Sequence, residues 1–340
     1  MTYEYSEDTL IEQTAVDLFF HQLGWDTIVA FNKESFGEGS TLGRLNKKEV
    51  VLKRIFLEKI KQFNPDLPEQ AYNQAYEKLI EENITKSLAE INHEKYQLLR
   101  NGIPVVLPAS SDRRTDGSEV KTLKVFDFEN VENNNFLAVQ QLWIQGKSNR
   151  ERRPDIIGFV NGIPLLFIEL KAAHRKLENA YNDNFTDYKD VIPTLFHYNA
   201  FVLLSNGIES RIGSVTGKYQ HFHEWKRITE EDEGIVALDR IIVGVCEKKR
   251  FLDLFENFIL FDSSLGKVVK LIARNHQFIG VNKAIENIKH KEELYKLGKI
   301  SLEEKQKLGV FWHTQGSGKS YSMVFFCQKI HRTFTGSHTF

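Results

Sequence analysis

The chain has 340 residues, of which 41% are hydrophobic and 27% charged, and its formal net charge is −1. This composition is typical of a soluble globular protein, the length predicts two domains, and any DNA contact must come from local basic patches because the overall field is weak. No apolar run is long enough for a membrane span, and the N-terminus is polar and acidic, unlike a signal peptide. The two cysteines are too few for a four-cysteine zinc site or for a disulfide framework. We therefore expect a cytoplasmic protein.

Apolar periodicity predicts the main elements in chain order. A first helix over 7–23 should end at Gly24, where a glycine can close the helix. Further segments with helical or alternating patterns predict helices over 49–62, 68–99 and 174–190, and strands over 102–108, 120–128, 200–205 and 210–215.

The middle of the chain predicts a β-hairpin with charged ends. Two apolar runs flank Asn161-Gly162, a sequence typical of a tight turn. Asp155 opens the first strand, and Glu169 and Lys171 close the second. Two carboxylates can hold Mg²⁺, which polarises a phosphate and lowers the pKa of a water, and an ammonium stabilises the developing charge. The pattern is similar to the PD-(D/E)xK nuclease motif; the alternative is an ordinary hairpin whose end charges have no chemical role.

The parity of this hairpin decides whether its acids can share a cation. Side chains alternate along a strand, so Glu169 and Lys171 point to one face. A two-residue loop at Asn161-Gly162 would place Asp155 opposite Ile168, which is the wrong face. The nuclease hypothesis therefore requires an odd loop or a bulge, and we expect a three-residue loop with a bulge and a left-handed glycine.

Basic residues flank both acids and predict a surface that attracts a phosphate backbone, although a solvated group of charges is the alternative. They are Arg150, Arg152 and Arg153 before the first acid, and Lys171, His174, Arg175 and Lys176 after the second.

A Gly-rich segment near the end of the chain resembles a phosphate-binding P-loop. Residues 308–312 predict a short strand, and a helix should run to about Arg332. Glycines let backbone N–H groups approach phosphate oxygens, Lys319 would reach the β/γ-phosphates, and Ser320 would ligate Mg²⁺. His313 stands where the strict pattern has glycine. The alternative is a plain Gly-rich turn, and the candidate nucleotide-binding residues are Thr314, Gln315, Gly316, Ser317, Gly318, Lys319 and Ser320.

Upstream of this loop, Gln277 matches the position of the helicase Q-motif, in which a glutamine amide reads adenine. The alternative is an ordinary surface glutamine.

A nuclease motif followed by a helicase-type nucleotide site resembles the restriction (R) subunit of type I restriction–modification enzymes. The resemblance implies a PD-(D/E)xK mixed sheet flanked by helices over 1–250, followed by an incomplete RecA-like P-loop lobe of a superfamily 2 motor over 251–340. The stretches that carry it are 41–44, 63–68, 101–105, 135–142, 153–155, 161–164, 168–171, 257–261 and 274–277.

The resemblance also implies function. The intact protein would join methyltransferase and specificity subunits, move double-stranded DNA with ATP, and cut far from the recognition site. Asp155 and Glu169 would bind Mg²⁺, and Lys171 would stabilise the attacking water or the phosphate. Because many such nucleases place a further acid on an N-terminal helix, Glu12 is the candidate and Glu7 the second choice, unless Glu12 is simply an exposed helix glutamate.

Two departures from the family pattern limit these expectations. The family's Gln-x-x-x-Tyr element corresponds to Asn184 and Tyr188, where the amide is one methylene shorter. No Walker B acid pair or second lobe follows the P-loop before Phe340, so we expect an N-terminal fragment that does not hydrolyse ATP alone. The remaining alternatives are a non-catalytic DNA- or partner-binding scaffold and a stand-alone ATPase with an inactive nuclease fold, and the intact acids and lysine argue against inactivation.

Overall fold

The computed structural model describes residues 7–107, 119–234, 237–264, 266–334 and 336. Its strands are β1 (Asp26–Val29), β2 (Ile103–Leu107), β3 (Glu119–Leu123), β4 (Phe136–Gln140), β5 (Ile144–Gln145), β6 (Glu151–Arg152), β7 (Ile156–Val160), β8 (Ile163–Leu170), β9 (Phe201–Ser205), β10 (Ser210–Gly213), β11 (Ile259–Asp262) and β12 (Val269–Ile272). Its α-helices are α1 (Glu7–Asp17), α2 (Lys53–Phe63), α3 (Glu69–Ile80), α4 (Leu88–Asn101), α5 (Leu177–Asn179), α6 (Thr186–Val191), α7 (Pro193–Phe196), α8 (Leu238–Cys246), α9 (Lys248–Asn257), α10 (Asn275–Lys296), α11 (Leu302–Gln306) and α12 (Lys319–Thr333). Two π-helical turns, Leu18–Gln22 and Ala180–Phe185, continue α1 and α5.

A six-stranded sheet in the order β1-β4-β7-β8-β9-β10 forms the centre of the fold. The β1–β4 and β8–β9 pairs are parallel and the other neighbours are antiparallel, which confirms the predicted mixed sheet. Every residue of β7, β8 and β9 is buried, because helices and loops cover both faces and the strands can be apolar on each side.

The hairpin between β7 and β8 turns at two residues, not the three that the sequence predicted. Asn161 and Gly162 have φ values of 51° and 78°, as a type I′ turn requires. Gly162 is also required sterically, since a Cβ there would lie 2.6 Å from the carbonyl oxygen of Leu52. The predicted bulge is present further along, because Leu165 has no partner in β7.

Two other expectations about elements were wrong. The helix predicted over 68–99 is two helices, because Ser87 and Glu90 form a capping box that starts α4 anew. The strand predicted over 308–312 is irregular, and Val310 is 94% exposed. Within the described ranges this apolar segment has no neighbouring strand to complete its backbone hydrogen bonds.

Helices α8 and α9 connect the sheet to the C-terminal segment. The indole of Trp25 donates to the carbonyl of Cys246 at 3.0 Å, and Tyr96 Oη donates to the carbonyl of Phe255 at 3.0 Å. Helix α12 packs against both α9 and α10. The predicted boundary between the two domains, 1–250 and 251–340, falls within helix α9, which contacts elements on both sides of it. This division stays a prediction.

Candidate nuclease and nucleotide sites

Asp155 and Glu169 lie at the same end of the central hairpin. Ile156 pairs with Ile168 beyond the bulge, so the residues just outside this pair, Asp155 and Glu169, share a face. Asp155 Oδ2 accepts a hydrogen bond from the backbone N–H of Leu170 at 2.7 Å. The bulge thus supplies the parity that the nuclease hypothesis required.

Glu169 is almost completely buried, with 1% of its surface exposed. Its Oε1 accepts from Lys171 Nζ at 3.0 Å, whereas its buried Oε2 has no hydrogen-bond partner among the described residues. Burial raises the pKa of Glu169 well above its ordinary value, and the negative charges of Asp155 and Glu12 raise it further against the opposing effect of Lys171. A buried, unpartnered carboxylate oxygen is costly, so this atom is suited to a cation.

The third candidate acid, Glu12, approaches from α1, which contacts β8. It is buried, and its Oε2 accepts from the side-chain amides of Gln140 at 2.8 Å and Gln141 at 2.7 Å. Glu12 is therefore not the exposed helix glutamate that the sequence left as the alternative. Glu7, the second choice, begins α1, and its side chain lies outside the described part of the structure.

The carboxylates of Asp155 and Glu169 fit Mg²⁺ as a pair, whereas no group of three or more Asp, Glu, His or Cys side chains in the described residues is arranged to hold a metal ion. Mg²⁺ commonly binds one or two carboxylates and completes its octahedron with waters and substrate phosphates. The unpartnered Oε2 of Glu169, with the carboxylate of Asp155 beside it, meets that requirement.

The two arginines predicted to lie near DNA both have protein partners. Arg152 forms a two-pronged ion pair with Asp187, with N–O distances of 2.5 and 2.9 Å. The guanidinium carbon of Arg153 lies 4.3 Å from the ring centroid of Phe31 and 5.3 Å from that of Trp143. The later basic residues of the predicted patch, His174, Arg175 and Lys176, are exposed.

Asn184 and Tyr188 lie on the helical segment that follows β8, on either side of the junction between the second π-helical turn and α6. Tyr188 Oη donates to the carbonyl of Arg153 at 3.3 Å. Burial raises the pKa of Tyr188, the negative charge of Glu169 raises it further, and a side-chain hydrogen bond with Asn184 opposes the shift. The tyrosine is therefore close to the acids and is held as a neutral phenol.

Sequence reasoning missed several residues that shape this site. A polar Gln-Gln pair at the end of an otherwise apolar strand was the available signal for the contacts to Glu12. Nothing local indicated the remaining partners, because they come from distant parts of the chain. The missed residues are Phe31, Gln140, Gln141, Trp143 and Asp187.

The Gly-rich segment forms a turn directly before α12. Gly316 and Gly318 have φ values of 78° and 86°, which favour glycine. Lys319 starts the helix, and its Nζ donates to the carbonyl of His313 at 3.0 Å. Four of the residues predicted to bind nucleotide are exposed: Thr314, Gln315, Lys319 and Ser320. The turn is closed by Ser317, whose Oγ donates to the carbonyl of Thr314 at 2.7 Å.

Gln277 is buried against this turn rather than lying on the surface. Its Nε2 donates to the carbonyl of Gly318 at 2.9 Å, and its Oε1 accepts from the backbone N–H of Arg274 at 2.8 Å. A cavity of about 300 Å³ lies beside these residues, with walls from the Gly-rich turn and from the segment after β10 that includes His221 and His223.

A mixed sheet with two acids and a lysine at one end, joined to a Gly-rich turn before a helix, defines a candidate nuclease linked to a candidate nucleotide-binding segment. The chain belongs to the type I restriction enzyme R protein family: the sequence profile described as the N terminus of that protein (HSDR_N) matches residues 4–221. A second profile, SWI2/SNF2 ATPase, matches residues 276–339.

Individual relatives agree with this assignment. The chain is 34% identical to the type I restriction enzyme HindI endonuclease subunit of Haemophilus influenzae, in an alignment covering 91% of this chain and 28% of the relative. It is 29% identical to the putative type I restriction enzyme MjaIXP endonuclease subunit of Methanocaldococcus jannaschii, covering 95% and 31%. The chain thus spans less than a third of the length of these two relatives. In the described residues no helix has the length and apolar character to cross a membrane.

Proposed function

We propose that this chain contains the Mg²⁺-dependent endonuclease of a type I restriction enzyme, which cuts double-stranded DNA after ATP-driven translocation by the complete complex. The observation that carries the proposal is the buried, unpartnered Oε2 of Glu169 beside Asp155, with Lys171 Nζ 3.0 Å from the other oxygen. Asp155 also accepts a hydrogen bond from the backbone of Leu170, but the burial of an unpartnered Glu169 oxygen at the end of two apolar strands has no evident role in holding the hairpin together.

The proposed division of labour follows from the contacts. Asp155 and Glu169 hold the cation, with Glu12 as a further carboxylate. Bound Mg²⁺ supplies Lewis-acid polarisation of the phosphate and a more acidic water. Lys171 can exchange Glu169 for a phosphate oxygen or the attacking water, because its side chain is 17% exposed whereas that of Glu169 is 1% exposed. Tyr188 and Asn184, which share a side-chain hydrogen bond, are proposed to lie near the DNA.

Arg152 and Arg153 are proposed to lie near the DNA, although both are held by other protein groups. The guanidinium of Arg152 is engaged by Asp187 and that of Arg153 by two aromatic rings. Arg153 keeps its net charge at a fixed position and can attract the DNA backbone, whereas Arg152 must exchange Asp187 for a phosphate to contact it.

The C-terminal segment is proposed to bind ATP. The Gly-rich turn of residues 314–320 presents backbone N–H groups at the start of α12, which is a favourable place for phosphates. Gln277 lies against Gly318, so the candidate adenine reader and the candidate phosphate loop are adjacent. ATP hydrolysis, the cytoplasmic location and assembly with methyltransferase and specificity subunits belong to the same proposal for the whole protein.

The decisive experiment measures cleavage of supercoiled plasmid by the chain alone and by the complex with its partner subunits, with Mg²⁺ or with EDTA. We expect Mg²⁺-dependent cleavage that Asp155→Asn and Glu169→Gln abolish. If the reconstituted complex translocates DNA but these variants cut as well as the wild type, the nuclease site is misassigned. If no assembly cuts DNA while the chain still binds DNA or its partners, the non-catalytic scaffold is the correct function.

A further inference from the structure

Two consecutive glutamines bind one oxygen of Glu12. Gln140 is the last residue of β4 and Gln141 the next, and their Nε2 atoms lie 2.8 and 2.7 Å from Glu12 Oε2. Adjacent side chains on a regular strand point to opposite faces. Two neighbouring amides can meet one atom only if the backbone changes conformation between them.

That change occurs at Gln141, whose φ is 54°. The left-handed region is uncommon for residues other than glycine, so the conformation must be held by its surroundings. The backbone N–H of Gln141 donates to the carbonyl of Asp155 at 2.9 Å. Gln141 therefore binds the carboxylate of Glu12 through its side chain and the main-chain carbonyl of Asp155 through its backbone.

The two amides bind only one of the two carboxylate oxygens of Glu12. Both amide bonds end on Oε2, so neither of them occupies Oε1. Helix α1, which carries Glu12, contacts β8, which carries Glu169, and the Oε2 of Glu169 is buried without a hydrogen-bond partner among the described residues. The glutamines thus fix one carboxylate oxygen of Glu12 at the edge of a site that already contains an unpartnered acidic oxygen.

We propose that Gln141, assisted by Gln140, is a positioning residue that keeps Glu12 beside Asp155 and Glu169, so that its carboxylate joins theirs when a cation binds. This inference rests on the proposed nuclease function. Gln141 acts through Glu12 and does not itself touch the cation or the DNA. Its loss should therefore weaken cation binding in the absence of DNA, a property that can be measured without any cleavage assay.

The test is a titration of the 340-residue chain with Mn²⁺, in which the free ion is followed by electron paramagnetic resonance. Gln141→Met removes the amide at nearly constant volume, and we expect the dissociation constant for Mn²⁺ to rise by about tenfold, as for other residues that orient metal ligands. Gln13→Met is the matched control, because Gln13 lies on the same helix next to Glu12 but bonds the exposed Asp17.

A second variant keeps the test valid if the methionine variant does not fold. Gln141→Gly accepts the left-handed conformation and keeps the backbone N–H, but it lacks the amide. We expect the same weakening. Wild-type affinity in folded Gln141→Gly or Gln141→Met, together with loss of binding in Asp155→Asn, would overturn this inference and leave the nuclease proposal intact. Failure of the wild-type chain to bind Mn²⁺ would overturn both.

Discussion

Lys171 Nζ lies 3.0 Å from Glu169 Oε1, and the two residues are separated by a single position at the end of β8. Because alternate residues of a strand share a face, this spacing brings ammonium and carboxylate together without any turn. The lysine partly offsets the burial of Glu169, and the carboxylate holds the ammonium beside the proposed scissile phosphate.

Removing Asp155 or Lys171 should abolish DNA cleavage without affecting ATP hydrolysis. In the full-length protein with its partners, we expect Asp155→Ala or Lys171→Ala to lower the cleavage rate by at least about a hundredfold, since each removes a group that acts on the phosphodiester. DNA-stimulated ATPase should stay at the wild-type rate. Plasmid cleavage and phosphate release are measured on the same preparations. A folded variant that loses its ATPase would contradict the site assignment.

The stability of the chain should depend on pH through Glu169. Burial raises its pKa in the folded state, so its contribution to stability is present below the unfolded-state pKa, ordinarily near 4.5, and is lost as pH rises through the folded-state pKa. In EDTA, Glu169→Gln should therefore melt above the wild type at pH 8, by about 2 °C or more, and the difference should shrink toward pH 4.5.

The control for this measurement is Glu178→Gln, which alters an exposed glutamate and should shift melting equally at each pH. Mg²⁺ provides a second check, since a ligand that binds the folded state stabilises it. The ion should raise the melting temperature of the wild type and not that of Glu169→Gln. A constant difference across pH would show that the charge of Glu169 does not oppose folding.

Substitutions of Arg153 should distinguish the effect of its ring stacking on stability from the effect of its charge on DNA binding. Arg153→Ala should lower the free energy of unfolding by about 1 kcal/mol, because it removes the contacts with Phe31 and Trp143. Arg153→Lys keeps the positive charge but loses the planar stacking. It should therefore lose most of this stability while binding duplex DNA nearly as well as the wild type.

Urea denaturation and DNA titration at several salt concentrations measure the two effects. Arg150→Ala is the control for stability, since Arg150 is exposed and should leave the unfolding midpoint unchanged. Equal DNA affinity for Arg153→Ala, Arg153→Lys and the wild type would show that this charge does not attract the backbone.

The candidate nucleotide site can be tested with a fluorescent ATP analogue. Lys319→Ala should weaken binding by about tenfold, because it removes a charged contact to phosphate worth roughly 1.4 kcal/mol. Gln277→Ala should weaken ATP binding by a similar factor and reduce competition by ATP relative to GTP. Lys299→Ala alters an exposed lysine away from the turn and serves as the control. Unchanged affinity in both test variants would rule out this segment as the nucleotide site.

The grouping of Asp155, Glu169 and Lys171 at one end of the hairpin was predictable from the sequence because it depends on local spacing and strand parity. The need for a bulge followed from counting residues between Asp155 and Glu169. Its place at Leu165 could not be predicted, since an apolar strand offers no local signal for which residue will be left unpaired. The choice between a two- and a three-residue turn was likewise open, because Asn161-Gly162 fits both.

Charged residues were harder to interpret, because a sequence shows a charge but not its partner. Arg152 and Arg153 looked equivalent beside the motif, yet one pairs with Asp187 and the other stacks on aromatic rings from distant segments. The structure of segment 308–312 also depends on a partner that the sequence does not show. Its apolar pattern favours a strand, but a strand forms only where another strand accepts its hydrogen bonds.

The unpaired Leu165 imposes an odd–even rule on changes in the length of this hairpin. Inserting or deleting two residues between the acids would keep Glu169 and Lys171 on their present side of the sheet. A change of one residue would turn both to the opposite face of the sheet, away from Asp155. A second bulge would return the two side chains to their present face, whereas replacing residues without changing the length of the hairpin would not. For the proposed nuclease, the length of the hairpin is therefore a requirement for cleavage that is separate from the identity of its residues.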